Sequence, residues 1–291
     1  MARPYHVIER YQGRRIVDEG ASVFTMAIAL FGLAVAAAAP AFADEQVVPA
    51  APAGTIITIG GYGLMTPKFE GAKSDELAFR PIVSWSKPGS RIWLDLPNDG
   101  LDYEVVEGDN YRAGVVGNLR FQRNTDLLRP RGFKRVGSTD LSVEAGGFAE
   151  FWPTPNLRTR AELRDALFGA QGLIADFSAD VVLFPTERLT LTGGPRLSLA
   201  DQTFMDSYYS ITSAQAASSG MTQFKADAGL RSYGLGASAR YQLTDDIMTL
   251  AFVEYQRLSG SAGESPLIEQ RGSPDQFTFG LGMKYSFHVP W

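Results

Sequence analysis

The chain has 291 residues, no cysteine, two histidines and a formal charge of −5 at pH 7. This weak negative charge argues against a nucleic-acid-binding protein, because such proteins carry clustered basic charge. Long uncharged runs occur only near the N-terminus, so the body of the chain is not a bundle of membrane helices.

The first element is an uncharged segment over residues 21–43, which follows a pair of arginines. It ends in the sequence AFA, a small-x-small pattern typical of signal-peptidase cleavage. We therefore predict a signal peptide over residues 1–43, with an uncleaved membrane anchor as the alternative. A Pro/Ala-rich lead-in over residues 44–54 would then lie in the periplasm.

From residue 55 onward, apolar and polar residues alternate with period two, which predicts β-strands. These segments run for roughly 10 to 14 residues, against the ~5–6 of soluble sheets and the ~9–11 that a tilted strand needs to cross a bilayer. Because lipid offers no hydrogen-bond partners, a spanning sheet must have no free edge. The sequence therefore predicts an all-β fold, a single closed antiparallel transmembrane β-barrel over residues 55–291.

Short and long connections alternate along the predicted strands, as in barrels with short periplasmic turns and long outer loops. The long connections fall at residues 124–138, 202–228 and 260–275. Reading residues 91–106 as one strand gives an odd number of strands, which would put the two termini on opposite sides. Splitting that segment at the turn sequence PNDG, residues 97–100, gives about twelve strands, with ten as the main alternative.

One outer loop, residues 202–228, has helical character. We expect Thr212 or Ser213 to cap a short helix there, and Gly220 to end it.

If odd-numbered residues of the clear strands face lipid, the even-numbered charged side chains point into the barrel. These are Arg112, Arg120, Glu144, Glu150, Arg158, Arg160, Glu162, Arg164, Asp176, Asp180, Arg188, Arg196, Arg240 and Lys284. Wide aqueous pores take ~16–18 strands, so this lumen is narrow. We expect the opposite charges to pair and fill it rather than to form an open general porin, with a selective charged channel as the alternative.

Few residues suit catalysis. His6 precedes the predicted cleavage site, and nothing in the sequence pairs His288 with a nucleophile. No ligand spacing indicates a metal, and no glycine-rich loop leads into a helix to hold a phosphate. We therefore predict no catalytic, cofactor-binding or metal-binding residues. A lipid-acting barrel enzyme that uses His288 is a minor alternative.

Two surface features are consistent with an outer-membrane location. Aromatic residues cluster near strand ends, and we expect some of them to form interfacial girdles. They are Trp85, Trp93, Phe151, Trp152, Tyr208, Tyr209, Tyr255 and Trp291. The arginine-rich loop over residues 123–135 is either a merely solvated loop or a site for lipopolysaccharide phosphates.

Three segments resemble the MipA/OmpV family of outer-membrane proteins. Residues 201–221, DQTFMDSYYSITSAQAASSGM, resemble the family's S-Y-F-G-V-T and Q-A-x-x-S-G segments, with YSI in place of F-G-V. Residues 258–276 resemble its S-P-I/L-x-x-x-x-G-S-x-x-Q segment. The FEGA at residues 69–72, followed by an Arg-Pro pair, resembles its Y-x-G-S…R-P element with two departures. The resemblance covers nearly the whole mature chain.

The resemblance implies a scaffold that links a lytic murein transglycosylase and a murein synthase to the outer membrane, through periplasmic turns or the N-terminal segment. It identifies no partner-binding residue. The alternatives are a narrow selective solute channel and a barrel related to envelope stress or permeability. The family's last strand ends in an aromatic residue that the assembly machinery reads, and either Phe287 or Trp291 would serve here.

Overall fold

The computed structural model describes residues 54–86, 99–120, 141–169 and 171–290. The strands are β1 (Thr55–Pro67), β2 (Asp75–Ser86), β3 (Leu101–Glu107), β4 (Tyr111–Arg120), β5 (Ser142–Thr154), β6 (Leu157–Phe168), β7 (Leu173–Thr186), β8 (Leu189–Ala200), β9 (Gly229–Gln242), β10 (Ile247–Leu258) and β11 (Asp275–Val289). The helices are α1 (Gln202–Tyr209), α2 (Ser213–Ser219), α3 (Gly260–Glu264) and α4 (Pro266–Glu269). Within the described ranges, no helix has the length and apolar character to cross a membrane.

All the strands join one antiparallel sheet in the order β2-β1-β11-β10-β9-β8-β7-β6-β5-β4-β3. The first and last strands are neighbours and pair along nearly their whole length. The sheet curls, so that side chains of distant elements meet inside it. Glu70, between β1 and β2, contacts Arg120 of β4 and Arg231 of β9. The prediction of an all-β antiparallel barrel fold is confirmed.

The described residues contain eleven strands, which makes the alternative of ten wrong. Neighbours alternate in direction, so the edge strands β2 and β3 run the same way. The chain therefore leaves β2 at one end of the sheet and enters β3 at the other. β3 begins at Leu101, directly after the predicted turn at residues 97–100. The strand that would make twelve, predicted over residues 91–96, lies outside the described residues, and twelve strands stays a prediction.

The long connections lie at one end of the sheet, as predicted, together with the shorter β1–β2 and β6–β7 connections, and the turns described at the other end are all short. At the turn end, residues 155–156 join β5 to β6 and residues 187–188 join β7 to β8. At the loop end, residues 201–228 and 259–274 form long loops. In outer-membrane barrels the long loops face outward and the short turns face the periplasm. The long loop predicted over residues 124–138 lies outside the described residues.

The outward side of the sheet is apolar, which is what contact with lipid tails requires. On β11 the odd-numbered side chains from Phe277 to Tyr285 are exposed, led by Leu281 at 71 %, whereas the even-numbered Gln276 and Lys284 are buried. Other exposed apolar side chains on the outward side are Ile59, Met65, Leu77, Phe79, Val83, Leu101, Tyr103, Val115, Leu119, Val181, Leu183, Leu197, Leu235, Val253, Phe279 and Met283. The predicted assignment of odd positions to the exterior is confirmed on these strands.

The loop over residues 201–228 is helical, as predicted. The Thr212 side chain caps α2 by accepting a hydrogen bond from the Gln215 N–H, and Gly220 ends the helix in the left-handed region at φ 73°. The sequence analysis did not anticipate α1 in the same loop or α3 and α4 in residues 259–274. These helices are at most two turns long, too short to show a clear helical periodicity.

Candidate functional site: the charged lumen and its outer cap

The interior of the curled sheet holds a continuous set of ion pairs, here called the charge network. Its arginines are Arg112, Arg120, Arg158, Arg160, Arg164, Arg196 and Arg231. Its carboxylates are Glu70, Asp99, Asp102, Glu144, Glu150, Glu162, Asp176, Asp180 and Glu254. Buried charges are tolerated when they are paired and hydrogen-bonded. The predicted pairing of opposite charges in the lumen is therefore found.

Glu150 of β5 is the centre of the half nearer the turns. Its Oε2 accepts hydrogen bonds from Arg158 at 2.7 Å, Arg112 at 3.1 Å and Arg160 at 3.2 Å. The Trp152 indole N–H donates to its Oε1 at 2.8 Å. The side chains of Glu150 and Arg158 have no solvent exposure. This level of the lumen is occupied by paired side chains.

Strand register explains this arrangement. Arg112 on β4 and Arg160 on β6 lie directly opposite Glu150 on the strand between them. Opposite charges facing each other across a ladder stabilise strand pairing. The Phe148 ring, also on β5, lies 4.1 Å from the Arg160 guanidinium carbon and 5.4 Å from that of Arg112. Cation–π contact therefore adds to the ion pairs.

Glu70 is the centre of the half nearer the loops, and it lies in the connection between β1 and β2 at the loop end of the sheet. Its Oε2 accepts from Arg231 at 2.7 Å and from Arg120 at 2.8 Å, and the Tyr209 hydroxyl of α1 donates to its Oε1. Burial alone would raise the pKa of Glu70, but the charges of Arg231 and Arg120, with the Tyr209 hydrogen bond, lower it to about 2. An ionised Glu70 thus ties one turn, one helix and two strands together.

An apolar layer packs on this end of the charge network. We call residues 201–228 and 259–274 the outer cap. Its most buried apolar side chains are Phe204, Met205, Tyr208, Tyr209, Ile211, Ala226, Ala262 and Ile268. Phe204 and Tyr208 stack with ring centroids 4.2 Å apart, and the Arg120 guanidinium carbon lies 5.2 Å and 5.7 Å from their respective centroids. The cap therefore rests directly on the arginines of the lumen.

The three segments that carry the family resemblance meet in and under the outer cap. The Gln276 side-chain oxygen accepts from the Gly71 N–H at 3.0 Å, and the Ser265 hydroxyl donates to the Tyr209 carbonyl at 2.7 Å. Gly71 has φ +90°, and a Cβ there would lie 2.2 Å from Ile268 Cδ1. Only glycine fits such a position. Segments far apart in sequence thus build one structural unit.

One predicted lumenal residue is placed elsewhere. Arg188 is exposed in the turn between β7 and β8, because β8 begins only at Leu189. Lys284 is buried, and Arg240 is half-buried on the inward side. The arginine-rich segment over residues 123–135 lies outside the described residues.

The predicted aromatic girdle is found only in part. Trp85 and Phe151 are exposed on the outward side, as a girdle requires. Trp152 is buried in the lumen, and Tyr208 and Tyr209 are buried in the outer cap, so these three residues are not part of a girdle. Tyr255 lies on the outward side near the loop end. Trp93 and Trp291 lie outside the described residues.

The sequence analysis missed Glu70, Asp99, Asp102, Arg231 and Glu254. Arg231 has an odd number but is buried, because the register of β8 with β9 shifts beside Ser198 and leaves Arg231 in a bulge. Glu70 and Asp99 lie outside strands, where alternation carries no information. Asp102 and Glu254 lie at even-numbered strand positions, so strand alternation could have identified them as inward-facing.

Among the described residues, no group of three or more His, Asp or Glu is placed to hold a metal ion. His288 lies at the turn end of β11, where its ring packs close to Gly54. The Glu70 and Glu150 sites are surrounded by arginines and aromatic rings rather than by a nucleophile and a base. Their chemistry is that of structural ion pairing.

A curled antiparallel sheet with an apolar exterior, a charged interior and long loops at one end defines a transmembrane β-barrel protein of the outer-membrane class. Comparison of the sequence with known families then gives a particular assignment. The profile of the family described as MltA-interacting protein MipA matches residues 59–287. The chain belongs to this family, and it is an outer-membrane protein.

Curated relatives agree with this placement. The Escherichia coli (strain K12) protein named "Putative outer membrane protein YiaT" is 26 % identical over 150 residues, which are 52 % of this chain and 58 % of that protein. The protein of the same name from Escherichia coli O157:H7 gives the same values. The match thus spans less than two thirds of the length of these relatives.

Solved structures that resemble this one include two outer-membrane channels. One is the COG4313 outer membrane channel from Pseudomonas putida F1, with 11 % identity and a TM-score of 0.42, covering 84 % of this chain and 100 % of that one. The other is the outer membrane channel DcaP of Acinetobacter baumannii, with 10 % identity and a TM-score of 0.36, covering 84 % of this chain and 100 % of that one.

Proposed function

We propose that the protein is a non-enzymatic outer-membrane scaffold, which holds a lytic murein transglycosylase and a murein synthase close to the outer membrane. The observation that carries this proposal is the lumen occupied by the Glu150 ion pairs beneath a packed outer cap. A barrel filled in this way acts through its rim rather than through its interior. The family description, MltA-interacting protein, supports the same conclusion.

The periplasmic rim is the surface on which such partners would bind. It consists of the short turns at the turn end, such as residues 187–188 and 243–246, which are exposed or nearly so. We further propose that residues 1–43 direct export and are cleaved, and that the lead-in over residues 44–54 extends this rim into the periplasm. Residues 55–291 would then form the membrane-embedded barrel.

Co-purification tests the scaffold role. The mature protein is extracted from its own cells in mild detergent and captured, and bound murein enzymes are identified by mass spectrometry. We expect a lytic transglycosylase and a synthase to be retained. A double variant at the turn end, Glu187→Ala with Arg188→Ala, should retain less of them. The matched loop-end variant, Lys225→Ala with Asp227→Ala, removes the same two charge types from exposed positions and should retain them normally.

The absence of both enzymes from the captured barrel, together with normal murein in a deletion strain, would count against the scaffold. Equal loss in the turn-end and loop-end variants would show that the binding surface is not the periplasmic rim.

A narrow selective solute channel is the second candidate. It is favoured by β6, whose inward side chains Arg158, Arg160, Glu162 and Arg164 place charge at successive levels of the lumen. A role in envelope permeability would likewise depend on solute passage through the charged lumen. Planar-bilayer recording separates the two candidates: steady conductance that changes with Arg112→Ala or Glu150→Gln supports a channel, and electrical silence removes it.

A further inference from the structure

Arg257 is the one Lys or Arg of the described strands whose side chain lies on the outward, lipid-facing side. It is the second-last residue of β10 and faces Asp275, the first residue of β11, at the loop end of the sheet. Its side chain is 43 % exposed. The cost of an arginine on the lipid side of a barrel is highest at the bilayer midplane and falls toward the interface. The position of Arg257 therefore matches the depth of lipid headgroups.

The guanidinium of Arg257 is held in place from one side. Its Nη1 donates to Asp275 Oδ1 at 2.5 Å, and the Tyr255 hydroxyl donates to the same oxygen at 2.7 Å. Tyr233, on the other neighbouring strand, lies directly opposite Arg257 and is 45 % exposed. A fixed guanidinium between two tyrosines offers planar hydrogen-bond donors to an anionic group, and a phosphate oxygen is a preferred acceptor.

Below this polar group, toward the middle of the membrane, the surface is aromatic and aliphatic. The Tyr255 ring lies 4.9 Å from that of Phe277, and Phe277 stacks with Phe279 at 6.3 Å. Exposed Leu235 and Val253 continue the apolar surface on the neighbouring strands. A lipid with an anionic headgroup and acyl chains matches this surface, because its headgroup would lie at Arg257 and its acyl chains on the apolar side chains below.

We propose that Arg257, flanked by Tyr233 and Tyr255, binds the phosphate group of an outer-leaflet lipid whose acyl chains lie on the exterior of β9, β10 and β11. Asp275 orients the guanidinium and nearly cancels its charge. The site therefore does not attract small free anions, and a phosphate is retained when its acyl chains also contact Phe277 and Phe279. This inference rests on the outer-membrane location, and its failure would leave the scaffold role untouched.

Lipid retention by the purified barrel tests the proposal. The full mature protein is incubated in mixed micelles with phosphorylated lipid A, with the same lipid lacking its phosphates, or with phosphorylated lipid A plus inorganic phosphate at equal phosphate concentration, and bound lipid is counted by native mass spectrometry. We expect Arg257→Ala to retain about tenfold less phosphorylated lipid than the unchanged protein. Lys225→Ala, which removes an exposed cation from the same end of the molecule, should retain the normal amount.

Two further variants make the result specific. Asp275→Asn removes the opposing charge and should raise retention of the phosphorylated lipid severalfold. Arg257→Lys keeps the charge without the planar donors and should give an intermediate value. A shift in SDS gel migration between heated and unheated samples confirms that each variant has folded.

Three outcomes would overturn the proposal. Normal retention by folded Arg257→Ala or Arg257→Lys would show that the guanidinium is not used. Equal retention of the lipid that lacks phosphates would show that only the apolar surface binds. Displacement of the lipid by inorganic phosphate at equal concentration would identify a site for free anions instead.

Discussion

The two halves of the lumen hold similar charges in different ways. Around Glu150, the arginines come from adjacent strands: Arg112 and Arg160 lie directly across the ladder, and Arg158 lies two residues before Arg160 on β6. Around Glu70, the partners come from β4, β9 and α1, which are 50, 161 and 139 residues away in sequence. The first arrangement follows from the pairing of neighbouring strands. The second exists only after the sheet has curled and the outer cap has packed.

The molecule therefore compensates its buried charges in two ways, by pairing between adjacent strands and by contacts between elements that are distant in sequence. Contacts between adjacent strands require little chain closure, whereas contacts across the barrel require closing long loops before they form. We therefore expect changes near Glu150 to weaken the whole sheet. Changes near Glu70 should loosen the outer cap while the strands stay paired.

The largest expected effect is that of Glu150→Ala. It leaves three buried arginines, Arg112, Arg158 and Arg160, without their shared carboxylate. Removing one partner of a buried charge network costs about 4 kcal/mol, because the arginines lose the carboxylate at their centre and keep only Asp99, Asp102, Glu162 and Asp180 around them. Chemical unfolding in detergent or lipid, followed by tryptophan fluorescence and circular dichroism, measures the loss. The exposed turn variant Glu187→Gln is the control and should unfold like the unchanged protein. A Glu150→Ala barrel of normal stability would contradict the view that this half is held by strand-paired charge.

Glu70→Gln should have the next largest effect, and of a different kind. The amide keeps the size of the side chain but removes the charge that faces Arg231 and Arg120. Because these neighbours lower the pKa of Glu70 from 4.5 to about 2, the expected loss is on the order of 3 kcal/mol. We expect faster proteolysis within residues 201–228 while the strands stay protected. Uniform destabilisation of cap and sheet, as in Glu150→Ala, would erase the distinction between the two halves.

The same carboxylate predicts a dependence on pH. The pKa of Glu70 is lowered from 4.5 to about 2, so its contribution to stability is complete above pH 4.5 and is lost as pH falls through about 2. In this window, protease sensitivity of the outer cap should rise in the unchanged protein. In Glu70→Gln it should already be high and show a smaller change with pH. A parallel pH response in both proteins would assign the titration to another group.

The sequence predicts the half around Glu150 well and the half around Glu70 poorly, for a physical reason. Strand alternation places Arg112, Glu150 and Arg160 inside, and register then brings them together. Glu70 lies in a turn, and Arg231 is turned inward by a bulge, so alternation fails for both. The motifs that carry the family resemblance mark these loop segments, but their mutual contacts depend on how the cap packs, which a single sequence does not encode locally.

Tyr209→Phe is the mildest and most selective test of the comparison. It removes the hydroxyl that donates to Glu70 and leaves the buried ring, so the apolar packing of the outer cap is kept. Loss of one hydrogen bond to a charged group costs about 2 kcal/mol, and the two arginines still satisfy the Glu70 carboxylate, so we expect about 1 kcal/mol. The effect should be smaller in a Glu70→Gln background, because the amide oxygen still accepts the hydrogen bond but the charge that strengthens it is gone. Additive effects in the double variant would mean that the Tyr209 hydroxyl acts independently of Glu70, and that this hydrogen bond does not fasten the cap to the lumen.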